Sequence, residues 1–293
     1  MCAKARSQSI DVMLILRRGL LRTPDVARQI ALLQTLLAEL GLLTDIDGDF
    51  GPATTTAVRR FQTDNDLVVD GVAGEKTWSK LVAASPDLVA RISALWLSQA
   101  DLDHAAAELT VDRAAIKAVY EVEADGAGFL GLRPKLLFEG HVFWRLLQDE
   151  GRDPAALAHG NEDILFPKWT SAYYRGGLAE YARLGRAQAI DAVAAAQAAS
   201  WGLFQIMGMN HTAAGFADVD GFVAAMNRSE AAHLDAFSAF LVGTRSGTGS
   251  LRDLLAARDW PAFARAYNGP GYRKNRYDEK LQSAYERAGA SMG

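Results

Sequence analysis

One cysteine stands in the whole chain, Cys2, so no disulfide forms within it, and a cysteine nucleophile would have to work from the terminal stretch. Histidine is nearly as scarce. The five present, His104, His141, His159, His211 and His233, form no His-Glu-x-x-His pattern and no close pair on one helix face, which removes the usual zinc peptidase and amidase arrangement. No metal and no cofactor is expected. Gly-x-Ser-x-Gly does not occur, so a serine hydrolase elbow is absent too. No apolar run approaches a membrane span. The early stretch Val12-Met13-Leu14-Ile15-Leu16 stops at Arg17 and Arg18, too short for a signal-peptide core, and the expectation is a protein with no export signal and no stable membrane insertion. Positive charge is also lacking. The net charge is −4, ten acidic and ten basic residues cancel through Ser85, and nothing marks a nucleic-acid partner. Only Arg252 to Arg287 is locally basic, eight cationic against five anionic residues, which reads as a solvated mixed-charge helix.

What is present is apolar and helical. At 49% hydrophobic and 23% charged over 293 residues, the chain can bury two cores. Helical spacing predicts a mainly α protein. After a short linker at Ala83 to Asp87, Pro86 opens a helix over Asp87 to Gln99. The expected helices that follow are Leu102 to Leu109, Ala114 to Ala124, Val142 to Asp149, Ala172 to Leu184, Ala187 to Ala199, Gly221 to Asn227, Ser229 to Val242, Ser250 to Ala257, Trp260 to Tyr267 and Asp278 to Ala288. Any sheet is small and falls near Leu136 to Phe138 or Gly202 to Ile206.

The first part carries an internal repeat. Asp47-Gly48-Asp49-Phe50-Gly51-Pro52-Ala53-Thr54 and Asp70-Gly71-Val72-Ala73-Gly74-Glu75-Lys76-Thr77 share Asp, Gly, Gly and Thr at the same offsets. Each is a tight turn feeding a short helix, Thr54 to Gln62 and Thr77 to Val82. With Leu33, Leu36, Leu37 and Leu40 on a preceding helix, and Val58, Phe61, Trp78 and Leu81, they predict a three-helix module over residues 12–84. The aspartates and threonines themselves read as structural.

In the second part, Glu123 falls on the same helical stripe as Ile116, Val119 and Tyr120. A carboxyl on an apolar face holds its proton more tightly, as a general acid for glycoside cleavage must. The alternative is a helix-end glutamate hydrogen-bonded into a core. Glu121, rotated by about 200° from it, lies four residues after Lys117 and is expected to pair with it at the surface. Asp125-Gly126-Ala127-Gly128 breaks the helix. Further on, Ser200-Trp201-Gly202-Leu203-Phe204-Gln205-Ile206-Met207-Gly208 and Ala266-Tyr267-Asn268-Gly269-Pro270-Gly271-Tyr272 mix rings, amides and glycines, a composition suited to sugar contacts.

These three segments, in this order, resemble the lysozyme and lytic transglycosylase superfamily. More closely, Ala118 to Glu123, Gly126 to Phe129, Arg133 to Glu139 and Ser200 to Gly208 look like the N-acetylmuramidase domain of modular phage endolysins, over residues 100–290. One position departs from that pattern: the residue between Glu139 and His141, usually basic, is Gly140. Residues 12–84 resemble the peptidoglycan-binding module of wall-lytic enzymes, with the Leu16-Arg17-Arg18-Gly19 opening and Gln62 after Phe61. The resemblance implies bacterial peptidoglycan as partner and cleavage of the β-1,4 bond between N-acetylmuramic acid and N-acetylglucosamine, with Glu123 as acid and Glu139 as second carboxylate, Asp125 behind it. Ser200, Gln205, Tyr267 and Asn268 are expected to bind saccharide or to hold Glu123, and wall contacts are expected from residues around the paired turns, such as Phe50, Arg60 and Trp78, the last of which also reads as core. The enzyme would be a monomer held in the cytoplasm of an infected bacterium until a second protein breaches the membrane. Rival readings are a lytic transglycosylase that leaves anhydro ends, a non-catalytic wall-binding or virion structural protein, and a chitinase.

Overall fold

A computed structural model describes residues 14–21, 23–123, 126–247 and 249–290. Cys2 and the first two positions of the expected module lie outside them.

Helices dominate the described residues, as the apolar periodicity predicts. α1 (Pro24–Glu39), α2 (Pro52–Asp64) and α3 (Glu75–Ala84) form the N-terminal unit, and α4 (Pro86–Ser93) packs on α1 and α3. Leu33, Leu36, Leu37, Val58, Phe61, Trp78 and Leu81 are buried together there, while Leu40 ends up exposed just past α1. The chain enters through a backbone bridge, Leu16 N–H to Ala73 C=O at 3.1 Å and Ala73 N–H to Leu16 C=O at 2.9 Å.

Two buried glutamines explain the repeat. The Gln34 side chain donates to Asp47 Oδ1, the Asp49 carbonyl and Thr54 Oγ1 at 2.8, 2.9 and 3.0 Å, and its Oε1 accepts from the N–H groups of Asp47 and Gly48. Gln62 does the same in the second copy, with Asp70 Oδ1, the Val72 carbonyl, Thr77 Oγ1 and the N–H groups of Asp70 and Gly71. A turn buried against a helix must have its backbone groups satisfied, and a glutamine supplies both donor and acceptor from one side chain. The Val72 N–H and the Gln62 amide hold the Asp70 carboxyl below the usual carboxylate range.

The larger unit follows as α5 (Gln99–Leu109), α6 (Arg113–Glu123), a hairpin of β1 (Phe129–Leu130) and β2 (Arg133–Pro134), β3 (Leu136–Phe138), α7 (Gly140–Asp149) and α8 (Pro154–Leu157). Then come α9 (Glu180–Gln188), α10 (Ala192–Gln197), β4 (Ala199–Trp201), β5 (Ile206–Met207), α11 (Val219–Met226) and α12 (Glu230–Gly243). The hairpin β6 (Arg245–Ser246) and β7 (Gly249–Ser250), α13 (Leu251–Ala257), α14 (Trp260–Asn268) and α15 (Tyr277–Ala290) complete it. The sheet that matters is antiparallel, in the order β3-β4-β5, with Leu137 opposite Ser200 and Ser200 opposite Met207. None of the helices in the described residues is long and apolar enough to cross a membrane.

Three expected helices differ in their limits, each for a local reason. The helix from Pro86 ends at Ser93, because the chain turns so that the Leu97 N–H meets Glu230, and Ser98 with Asp101 builds a capping box for α5. The run Ala187 to Ala199 is divided by Asp191, whose carboxylate caps the N-terminus of α10, and its end becomes β4. The helix expected from Ala172 begins at Glu180, since Gly176 and Gly177 both take positive φ. Of the two expected strand sites, Leu136–Phe138 is β3, whereas in the second only Ile206 is in a strand, at the start of β5, and Gly202 to Gln205 is the turn from β4.

Candidate active site

α6 buries Ile116, Val119 and Tyr120, so the apolar stripe read from the sequence is its packed face. The helix ends at Glu123. The Glu123 side chain and Asp125 lie outside the described residues. Glu121 pairs with Arg287 of α15 at 3.1 Å and not with Lys117, because α15 packs along α6 and brings a guanidinium within reach.

From α6 the chain passes through Gly126, Ala127 and Gly128 into the β1-β2 hairpin and on to β3, where the Lys135 N–H donates to the Gly128 carbonyl at 2.8 Å. β3 leads directly to Glu139, which caps α7 and whose N–H donates to the Ala198 carbonyl at 3.0 Å. The Glu139 carboxylate is mostly enclosed. Its Oε2 accepts from the Tyr174 hydroxyl at 2.6 Å, and His141 Nδ1 stands 3.3 Å away without the alignment of a hydrogen bond. Burial, and the Glu139 carboxylate to which it donates, push the Tyr174 phenol well above its ordinary value.

No arginine pairs with Glu139 among the described residues; the nearby guanidinium of Arg183 is engaged elsewhere. Arg183 donates to Glu180 Oε2 at 2.7 Å and to the Phe138 carbonyl at 3.0 Å, with Asp163 C=O taking its other face. Glu180 in turn accepts from the N–H groups of Arg175, Gly176 and Phe138. Both members of this ion pair are buried, so removing either would strand a charge. The pair fixes Phe138, and thereby the residue after it.

Ser200 and Gln205 meet on the same sheet. Ser200 Oγ donates to Gln205 Oε1 at 3.0 Å, and the Gln205 amide donates to the Gly202 carbonyl at 2.9 Å. Gln205 holds a left-handed backbone, φ 49°, a conformation a non-glycine residue keeps only where its surroundings impose it. Tyr267 reaches the same wall, its hydroxyl donating to the Phe204 carbonyl at 3.1 Å, while its ring sits among Phe237, Phe240 and Phe263. Asn268 closes α14 beside it. Trp201, Phe204 and Ile206 are core. The wall is held from behind by His233, whose Nδ1 accepts the Leu203 N–H at 3.0 Å and whose Nε2 lies 2.7 Å from the Met226 carbonyl, fixing the proton on Nε2. Burial holds this imidazole down at about 4.

Gly140 is accounted for sterically. A Cβ there would stand 2.4 Å from the Phe166 ring and 2.8 Å from the Ile164 carbonyl, so a basic side chain has no room. Sequence reasoning missed three features here: the Glu180–Arg183 pair, Tyr174, and Trp169. Trp169 is 64% exposed and its side chain lies beside the Tyr174 hydroxyl. An exposed tryptophan is a signal only once its neighbour is known.

In the N-terminal unit two of the three expected wall contacts are core residues. Phe50 is 8% exposed and Trp78 2%, its indole N–H donating to the Leu14 carbonyl at 2.9 Å, because both rings close the small core. Arg60 is on the surface, paired with Asp64 at 2.8 Å. A cavity of about 1100 Å³ lies between the units, and none of the predicted site residues whose side chains are described is among those that line it. No group of His, Cys, Asp and Glu among the described residues is arranged to hold a metal.

Comparison with known proteins agrees with this architecture. Residues 27–81 match the family model described as a putative peptidoglycan-binding domain, and residues 112–289 match that of N-acetylmuramidase. The crystal structure of the Burkholderia AP3 phage endolysin is 42% identical and covers 94% of this chain and 100% of its own, with a TM-score of 0.63. An uncharacterized protein of Kitasatospora aureofaciens is 54% identical over 37 residues, 13% of this chain, and the zinc D-Ala-D-Ala carboxypeptidase of Streptomyces albus G is 50% identical over 42 residues, 14% of this chain. The chain spans only 31% and 16% of those two proteins, so each bears on a short segment. A helical unit matched over most of its length, behind a peptidoglycan-binding unit, makes this chain a peptidoglycan-hydrolysing glycosidase of the lysozyme type, a member of the N-acetylmuramidase family.

Proposed function

We propose that Glu123 is the general acid of this enzyme, protonating the glycosidic oxygen between N-acetylmuramic acid and N-acetylglucosamine. Glu139 is the second carboxylate, either attacking the anomeric carbon, activating water, or steadying the oxocarbenium ion; a separation near 5 Å favours attack and about 6.5 Å or more favours water. The observation that carries this reading is the continuous path from the end of α6 through Gly128 to β3 and Glu139. Supporting it, β3 runs directly into Glu139 and pairs with β4, which carries Ser200, itself bonded to Gln205. Tyr174 supports the role of Glu139, since its hydroxyl donates to the carboxylate at 2.6 Å and holds it in one orientation. Tyr267 and Asn268 border the saccharide.

Residues 12–84 act as a wall-binding unit and residues 100–290 as the catalytic unit. The wall-binding unit raises the local concentration of substrate. The enzyme works as a monomer. It accumulates in the cytoplasm of an infected bacterium and reaches the wall after the membrane is breached, a reading supported by the likeness to a phage endolysin.

The test is mass spectrometry of soluble fragments released from purified peptidoglycan by wild type and by Glu123→Gln. Reducing N-acetylmuramic acid ends from wild type alone are expected. Anhydro ends would make the enzyme a transglycosylase, and equal release by both proteins would remove Glu123 from the mechanism.

A further inference from the structure

The wall-binding unit touches the catalytic helix itself. Arg28 on α1 points away from its own core, and its Nη2 lies 2.6 Å from the Tyr120 hydroxyl and 2.9 Å from Glu230 Oε2. Tyr120 is one helical turn before Glu123. Glu230, the first residue of α12, is 0% exposed, and its carboxylate also accepts the N–H groups of Leu97 and Gly128, each at 2.9 Å. Gly128 belongs to the segment that follows α6. A Cβ there would stand 2.8 Å from Glu230 Cγ, so the backbone approaches the carboxylate as only glycine permits.

One buried ion pair thus joins α1, the start of α5, the helix that ends on Glu123, and the loop after it. The contact around it is close-packed. Ala31 and Ile46 of the N-terminal unit pack on Ala127 and Leu130, and a Cβ on Gly177 would meet the Ile46 carbonyl at 2.9 Å. Arg28 also faces the Trp96 ring at 5.3 Å. A carboxylate buried at Glu230 without a cation would be costly, so the catalytic unit requires the charge that the wall-binding unit supplies.

We infer that Arg28 is a positioning residue for catalysis: through Tyr120 and Glu230 it fixes the last turn of α6 and the loop beyond, so the wall-binding unit sets turnover as well as wall affinity. This rests on the assignment of Glu123 as the acid. Tethering alone predicts loss of activity only on insoluble wall, whereas positioning predicts loss on a soluble substrate too small to engage both units.

The experiment uses the full chain with a soluble tetrasaccharide of alternating N-acetylglucosamine and N-acetylmuramic acid. It compares wild type, Arg28→Met, Arg28→Lys, the double variant Arg28→Met with Glu230→Gln, and Glu123→Gln. The double variant removes both charges together, which keeps a folded protein in hand if the single one strands Glu230. Misplacing a reacting group by about 1 Å costs on the order of 100-fold, so kcat per folded molecule is expected to fall roughly 10- to 100-fold in the Arg28→Met variants. KM on the tetrasaccharide and co-sedimentation with sacculi should stay within about twofold, and Arg28→Lys should recover part of kcat. Unchanged kcat in the folded double variant, with only the melting point or only insoluble-wall activity lowered, overturns the inference and leaves the Glu123 assignment standing. Full activity of Glu123→Gln overturns both.

Discussion

Acidification should weaken the cleft wall through His233. The imidazole is used at both nitrogens in its neutral form, Nδ1 accepting from Leu203 and Nε2 donating to Met226, and its ring stacks on Phe129 with centroids 5.0 Å apart. A proton on Nδ1 would face the Leu203 N–H and break that bond. Burial lowers the folded-state value to about 4 against the ordinary 6.5, so below pH 6.5 the unfolded chain binds the proton that the folded one refuses. The sign follows: the stability present above pH 6.5 is lost as pH falls towards 4, by about 1.4 kcal/mol per unit and about 3 kcal/mol in all. Urea unfolding of wild type and His233→Gln from pH 7 to 4, followed by fluorescence and circular dichroism, reads this as a difference in slope. Other histidines and the carboxylates act equally on both proteins, so the variant should show the flatter curve. Parallel curves would refute the argument and mean that His233 is already charged, or solvated, in the folded protein.

Other perturbations test the remaining parts. Gln62→Ala deletes five hydrogen bonds at one repeat turn and should lower the unfolding free energy by about 3–5 kcal/mol at about 1 kcal/mol per bond, checked by urea titration against the matching Gln34→Ala. Gly140→Arg, which restores the basic residue of the family pattern, should cost about 1–3 kcal/mol by overpacking against Phe166, seen as a lowered melting temperature; an unchanged melting temperature would show that the ring moves freely. Trp169→Ala should raise KM on soluble glycan about 5-fold, the equivalent of about 1 kcal/mol of lost ring contact, with kcat little altered. A fall in kcat alone would instead assign Trp169 to holding Tyr174 and Glu139.

Some of this protein was fixed by its sequence. The 3.6-residue spacing determines a helical protein, since a helix must bury one stripe wherever it packs, and Ile116, Val119 and Tyr120 are buried as that spacing requires. The paired Asp-Gly turns and the motifs around Glu123, Glu139, Ser200 and Gln205 depend on residue type at fixed offsets, which survive without coordinates. Contacts between distant segments do not. Gln34 and Gln62 become keystones only when a turn 13 or eight residues on folds back onto them. Phe50 reads as a wall contact, and Trp78 as a wall contact or core, until the small unit closes around them. Arg287 displaces Lys117 as the partner of Glu121, and Arg28 finds Glu230 across more than two hundred residues. Each of these depends on which faces are brought together, and charge or aromaticity in one dimension does not encode that. The buried Arg28–Glu230 pair is therefore the part that tertiary structure alone decided, because a charge tolerates burial only where its partner reaches it, and here that partner comes from another segment.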